Sequence, residues 1–144
     1  MTVPAKVTLV TLGVSDIGRA TAFYQALGWP LSSASVPGEV SFFTLSNIVL
    51  ALWGHDALAD EASVPAEPPG RFRGVSLAIN LEAPDEVDKV LAAAVEAGGD
   101  LRTAGAPTDW GGDNGYFADP DGHLWEIAHN PGWPLGPDGQ PILP

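Results

Sequence analysis

Four residues, Asp119-Pro120-Asp121-Gly122, constrain this chain more than any others, because they dictate a tight turn between two apolar runs. Pro120 presets φ, Asp121 can cap the turn with its own side chain, and Gly122 accepts a positive φ. The flanking runs, Gly115-Tyr116-Phe117-Ala118 and His123-Leu124-Trp125-Glu126-Ile127, must then be two strands that meet. In the outgoing strand the period of two puts Leu124, Glu126 and Ala128 on one face and His123, Trp125, Ile127 and His129 on the other. A glutamate that shares its face with Leu and Ala sits either at a rim or in a cavity.

The rest of the chain reads as one pattern used twice. Val7 to Val14 alternates and is β-branched, which predicts a strand. Ser15 or Asp16 then caps a helix whose apolar positions Ile17, Ala20, Phe23, Tyr24 and Leu27 recur at helical spacing and which Gly28 ends. Three short strands follow, near residues 30 to 36, 39 to 45 and 47 to 53, with turns at Pro37-Gly38 and Ser46-Asn47. The segment from His55 to Gly70 holds four acids and three prolines and reads as a linker or mobile loop. Then the order repeats. Residues 75 to 81 form a strand, 84 to 97 a helix closed by Gly98-Gly99, and 100 to 105, 114 to 119 and 123 to 129 three more strands. The expected fold is α+β, with two tandem βαβββ modules in a single domain over residues 1–144. Module one covers about 5 to 54, the linker about 55 to 72, module two about 73 to 130 and an extended tail 131 to 144. Trp133, Leu135, Ile142 and Leu143 give that Pro- and Gly-rich tail apolar points for packing on its own domain or across a dimer.

Two stretches carry a resemblance. The hairpin from Gly115 to Ile127 is similar to the closing hairpin of the vicinal oxygen chelate superfamily, which includes glyoxalase I, bleomycin resistance proteins and extradiol dioxygenases. The run from Val7 to Trp29 resembles its opening strand and helix, with Asp16, Phe23-Tyr24 and Leu27-Gly28 at the usual spacing. The resemblance implies a concave mixed sheet around a ligand cavity. In metal-dependent members it also implies a cation on the cavity floor, held by the first and last strands of each module. Carried onto this chain, those positions fall on Leu9, Ala51, Val75 and Glu126. One carboxylate among three apolar side chains leaves an ion mostly hydrated. The expectation is therefore no metal and no other cofactor, with a divalent metal as the alternative. A slip of one or two residues would bring Thr8, Thr11, Ser76 or Asn80 to the floor, none of them a strong ligand.

Composition excludes several classes. Six basic against eighteen acidic residues give a net charge of −12, which repels phosphate backbones and leaves nucleic acid out as a partner. The same field suits a cationic ligand. With no cysteine there is neither a disulfide nor a thiolate metal site. No signal peptide or membrane span is read, so a cytoplasmic location is expected. Gly-x-Ser-x-Gly elbows, phosphate loops and dinucleotide fingerprints are all missing.

Ligand contacts are expected from aromatic groups and the lone floor carboxylate. Trp110, in Trp110-Gly111-Gly112, sits in a flexible loop able to lay a ring over a planar ligand. Trp53 closes the fourth strand and fits either core or pocket wall, whereas Trp125, behind Glu126, fits the core. Of the neighbours Phe42 and Phe43 one must face away from the other; either can line the pocket, and Phe43 is taken as the contact. Thr11 completes the set. His55 reads as an exposed loop residue, His123 as facing solvent or a strand neighbour, and His129 as lying opposite Glu126. The expected function is a metal-independent, glyoxalase/bleomycin-resistance-like binding protein for a cationic or aromatic small molecule, working as a homodimer with Glu126 as anchor. The alternative is a lyase, isomerase or dioxygenase of the same superfamily, with Glu126 as catalytic base or residual metal ligand.

Overall fold

A computed structural model describes residues 2–68 and 71–144. The elements run β1 (Leu9–Val14), α1 (Ile17–Ala26), β2 (Val40–Thr44), β3 (Val49–Gly54), α2 (His55–Glu61), β4 (Ser76–Asn80), α3 (Asp85–Glu96), β5 (Asp100–Pro107), β6 (Asp113–Ala118) and β7 (Leu124–His129). They make two open mixed sheets, ordered β1-β3-β2 and β4-β7-β6-β5. In each, the first strand lies parallel to the last, and the last antiparallel to the one before it. The repeat is thus visible in the pairing. Thr11 stands level with Ala51 in one sheet as Ala78 stands level with Glu126 in the other.

Local chemistry explains the helices that the two halves share. Asp16 Oδ1 accepts the Arg19 amide at 3.0 Å to start α1, and Gly28, at φ +88°, ends it. Glu86 Oε2 accepts the Ala83 amide at 2.9 Å before α3, whose first turn also carries Asp85 and Asp88 at its positive end. Ala20, Phe23 and Tyr24 of α1 and Val87, Leu91 and Ala94 of α3 face inward at three- and four-residue spacing.

Both helices pack into one core with Leu12, Val14, Phe43, Leu50, Leu52, Phe117, Trp125 and Ile127. Its centre is aromatic. Tyr24 stacks on Trp29 with ring centroids 5.4 Å apart, and Phe117 lies nearly parallel to Trp125 at 6.3 Å. Each such side chain contributes on the order of 1.5–3 kcal/mol by burial. Because α1 meets β2 and β3 while Phe23 and Tyr24 also touch Phe117 and Trp125, this cluster joins the two sheets.

The turn at 119–122 forms as expected, with Gly122 at φ +85°, but its polar wiring differs. Asp119, not Asp121, caps the turn: its Oδ1 accepts the amides of Asp121 and His123, both at 2.9 Å. Its Oδ2 accepts the Tyr24 hydroxyl at 2.7 Å, and that hydroxyl in turn accepts the Trp125 indole N–H at 3.1 Å. Asp121 reaches across to the other half, where its Oδ1 accepts both the amide and the hydroxyl of Ser15 at 2.8 Å. The two aspartates of one turn thus fasten α1, near both its ends, to the second sheet.

Three segments depart from expectation. Residues 30 to 36 form no strand; only Leu31 and Val36 make isolated bridges, to Phe43 and Val40. The segment read as a linker or loop opens with the helix α2, because its prolines all follow Glu61 while Leu58, Ala59 and Ala62 form an apolar edge. Pro69 and Gly70 lie outside the described residues. The tail folds back on itself, with Leu135 bridging Pro141 and the Gly136 amide donating to Gln140 O at 2.8 Å, and Ile142 and Leu143 stay exposed.

Candidate functional site

Alternation along the strands gives each sheet a second face, opposite the aromatic core. On the first sheet it carries Thr11, Gly13, Phe42, Ala51 and Trp53. Helix α2 lies over this face, and Gly13 is what lets it approach: a Cβ there would come within 3.2 Å of the His55 Cα. Beneath and beside α2 run two hollows that share Thr11, Leu58 and Ala62 as walls. The inner one, of about 670 Å³, is an open cleft lined also by Glu39, Phe42, Ala51, Trp53 and Glu61. The outer one, of about 730 Å³, runs from β1 to Leu77 of β4 and Leu124 of β7, so strands of both halves line it. Both have the capacity of a small-molecule site.

On the second sheet the corresponding face carries Glu126. Asn114 Nδ2 donates to Glu126 Oε2 at 2.8 Å, and Tyr116 stands directly across the strand pair from Glu126. Partial burial, followed by the negative charge of Glu126, raises the Tyr116 phenol above its usual range, so it stays protonated through neutral pH. The result is a fixed carboxylate beside a phenolic proton. Neither hollow under α2 includes any of these three residues.

The site residues read from sequence therefore separate. Thr11 and Trp53 line the α2 hollows. Glu126 lies on the other sheet. Phe43 is fully buried against Tyr24 with 0% exposure, and Phe42, one residue earlier, is the phenylalanine that faces the hollow. Trp110 is 48% exposed, and its ring folds over Gly112 of its own loop. The histidines serve as local struts: His123 Nε2 pairs with Gly13 O at 2.8 Å and His129 Nδ1 with Leu81 O at 3.0 Å, while His55 opens α2 and bonds Glu67 O.

The pairing register also corrects the floor. If Ala51 and Glu126 are equivalent, as the resemblance implies, then Thr11 corresponds to Ala78 and Leu9 to Ser76, whereas Val75 precedes β4 and lies one residue out of phase. The four floor positions are then Leu9, Ala51, Ser76 and Glu126. Two hydrocarbon side chains, one hydroxyl and one carboxylate make a poor donor set for a divalent ion. No three His, Cys, Asp or Glu side chains converge on a common point among the described residues.

Lining residues that sequence reasoning missed include Leu58, Ala62, Glu39, Glu61, Arg71, Phe72, Arg73 and Arg102. Only the first two had a signal, the apolar edge of α2. A further hollow of about 900 Å³ opens on the core side of the molecule, between α1, the end of α3 and the 119–122 turn. It holds Arg19, Asp100 and Arg102, the last two paired to each other at 3.2 Å.

Among the described residues no helix is long and apolar enough to cross a membrane. No curated protein sequence matches the chain significantly. Among solved structures, a glyoxalase-related enzyme from Fulvimarina pelagi is similar at 36% identity and a TM-score of 0.86, over 97% of this chain and 99% of that one. A glyoxalase/bleomycin resistance protein/dioxygenase from Nocardioides is similar at 30% identity and a TM-score of 0.74, over 94% and 93%. Lactoylglutathione lyase from Agrobacterium tumefaciens shares the fold at 21% identity and a TM-score of 0.67, over 88% and 95%. The sequence profile of the Glyoxalase/Bleomycin resistance protein/Dioxygenase superfamily matches residues 6–127, and with the repeated sheets and these likenesses it follows that the chain belongs to that superfamily.

Proposed function

We propose that this protein is a metal-independent member of the superfamily that binds a small molecule with an aromatic or other apolar body, in the hollows roofed by α2. The observation that carries this reading is the pairing of a floor poor in donors with a largely apolar wall, in which Glu39 and Glu61 are the charged members. Leu9, Ala51 and Ser76 stand where a chelating set would be, while Phe42, Trp53, Leu58 and Ala62 surround an adjoining volume of about 670 Å³. Burial of an aromatic body there supplies affinity that needs no ion. The chain works as a single domain on this reading, and the exposed Ile142 and Leu143 of the tail are apolar points at which two copies can pair.

The test uses N-phenyl-1-naphthylamine, an uncharged fluorescent probe with an aromatic body. It should bind with quenching of tryptophan emission, and Trp53→Ala should weaken that binding by about 1–3 kcal/mol with an unchanged far-ultraviolet spectrum. Unaltered affinity in Trp53→Ala would move the probe out of the hollow that Phe42 and Trp53 line.

A second reading rests on one specific arrangement. Glu126, anchored by Asn114 and facing the protonated Tyr116, has the form of a carboxylate base beside a phenolic acid. In this reading the chain is a lyase or isomerase whose chemistry happens on the open face of the second sheet.

A further inference from the structure

The outer hollow reverses the charge of the molecule around it. The chain as a whole has eighteen acidic and six basic residues, yet this one hollow is lined by Arg71, Arg73 and Arg102 and by a single acid, Glu67. Half of all the Lys and Arg side chains therefore converge on one concavity of about 730 Å³, in a protein of net charge −12. Arg102 is engaged with Asp100 at 3.2 Å, but among the described residues neither Arg71 nor Arg73 has an ion-pair partner. The remaining wall is mostly apolar, from Val10 and Leu12 of β1 to Leu77 and Leu124 across the seam, with Thr11, His55 and His123 as its polar members, and Phe72 stands 75% exposed between the two unengaged arginines.

We infer that the outer hollow takes an amphipathic organic anion, its carboxylate, sulfonate or phosphate group held by Arg71, Arg73 and Arg102 and its apolar body laid between β1 and β4. Charge complementarity carries this inference. Guanidinium groups bind planar oxyanions through paired N–H donors, and a basic pocket within an acidic surface focuses the field on the anionic end of a ligand. The inference rests on the reading that a small molecule occupies the space under α2 and names the charge of that molecule. It replaces the cationic ligand that net charge alone suggests, because a ligand meets the local potential of the walls and not the average over the surface.

The experiment compares 8-anilino-1-naphthalenesulfonate with N-phenyl-1-naphthylamine, which has the same ring system without the sulfonate. The sulfonate probe should bind about tenfold more tightly, and this preference should shrink several-fold between low and high salt as the arginines are screened. The double variant Arg71→Gln/Arg73→Gln should lose about three- to tenfold in affinity for the anionic probe and leave the neutral one unchanged. Equal affinities for the two probes in the wild-type protein would overturn the anionic assignment while leaving the α2 site standing. Failure of both probes to bind would instead overturn the site itself. A sulfonate signal that falls as protein concentration rises would show that a second copy covers the hollow, and would also overturn the inference.

Discussion

Asp119→Ala should be among the most damaging single substitutions in this chain, costing about 3–5 kcal/mol of folding stability in denaturant titrations. The carboxylate is 3% exposed and accepts three hydrogen bonds, from the Tyr24 hydroxyl and the amides of Asp121 and His123. Its removal leaves a hydroxyl and two turn amides without their partner and opens a void beside the aromatic core. Tyr24→Phe should cost less, about 1–3 kcal/mol, since it leaves one carboxylate oxygen and the Trp125 indole N–H unpaired.

The same network sets an alkaline limit. Burial first, and the neighbouring Asp119 second, raise the Tyr24 phenol well above 10.0. A phenol whose folded-state pKa lies above its unfolded value contributes stability that is fully present below the unfolded pKa and lost as pH rises beyond it. Wild-type stability should therefore fall above about pH 10, and the fall should be shallower in Tyr24→Phe. Equal slopes for the two proteins would show that Tyr24 is not the group that titrates.

Glu126→Gln separates the two functional readings by a large margin. The substitution keeps size and shape, and Asn114 Nδ2 can still donate to the remaining carbonyl oxygen. If ligand lies under α2, affinity for the neutral naphthylamine probe should be unchanged, because Glu126 lines neither hollow. If the second sheet carries a reaction, turnover of its substrate should drop by a factor of about 10² to 10⁴, the contribution of a positioned general base. Equilibrium dialysis against zinc or manganese adds an independent arm. Retention of one ion per chain that disappears in Glu126→Gln would establish chelation and sink the metal-independent reading.

What was legible in the sequence is what local chemistry decides. Helices α1 and α3, the cap of α1, the terminal glycines of both, and the strands on either side of the 119–122 turn follow from periodicity and from residues that fix φ, whatever surrounds them. The superfamily resemblance rested on these segments. What escaped depends on neighbours distant in sequence. Helix α2 is marginal as a local pattern, since its acids and the prolines beyond it mask a short apolar edge, and it is held in place by the face that Gly13 clears. The capping role passed from Asp121 to Asp119, whose other carboxylate oxygen accepts the hydroxyl of Tyr24, 95 residues away. Phe43 and Val75 illustrate a narrower failure: with a period of two, a displacement of one residue turns a side chain to the opposite face. The arginines of the outer hollow could not be placed at all, because Arg71 and Arg102, distant in sequence, line one hollow only in the folded chain.

On the proposed function, ligand lies under α2 and not on the Glu126 face. Amide and indole shift mapping by two-dimensional NMR, with the neutral naphthylamine probe at saturation, tests it directly. The largest shifts are expected at Thr11, Leu58, Ala62 and the Trp53 indole, with Asn114, Tyr116 and Glu126 nearly unmoved. Shifts concentrated on Asn114, Tyr116 and Glu126, with α2 unmoved, would contradict it.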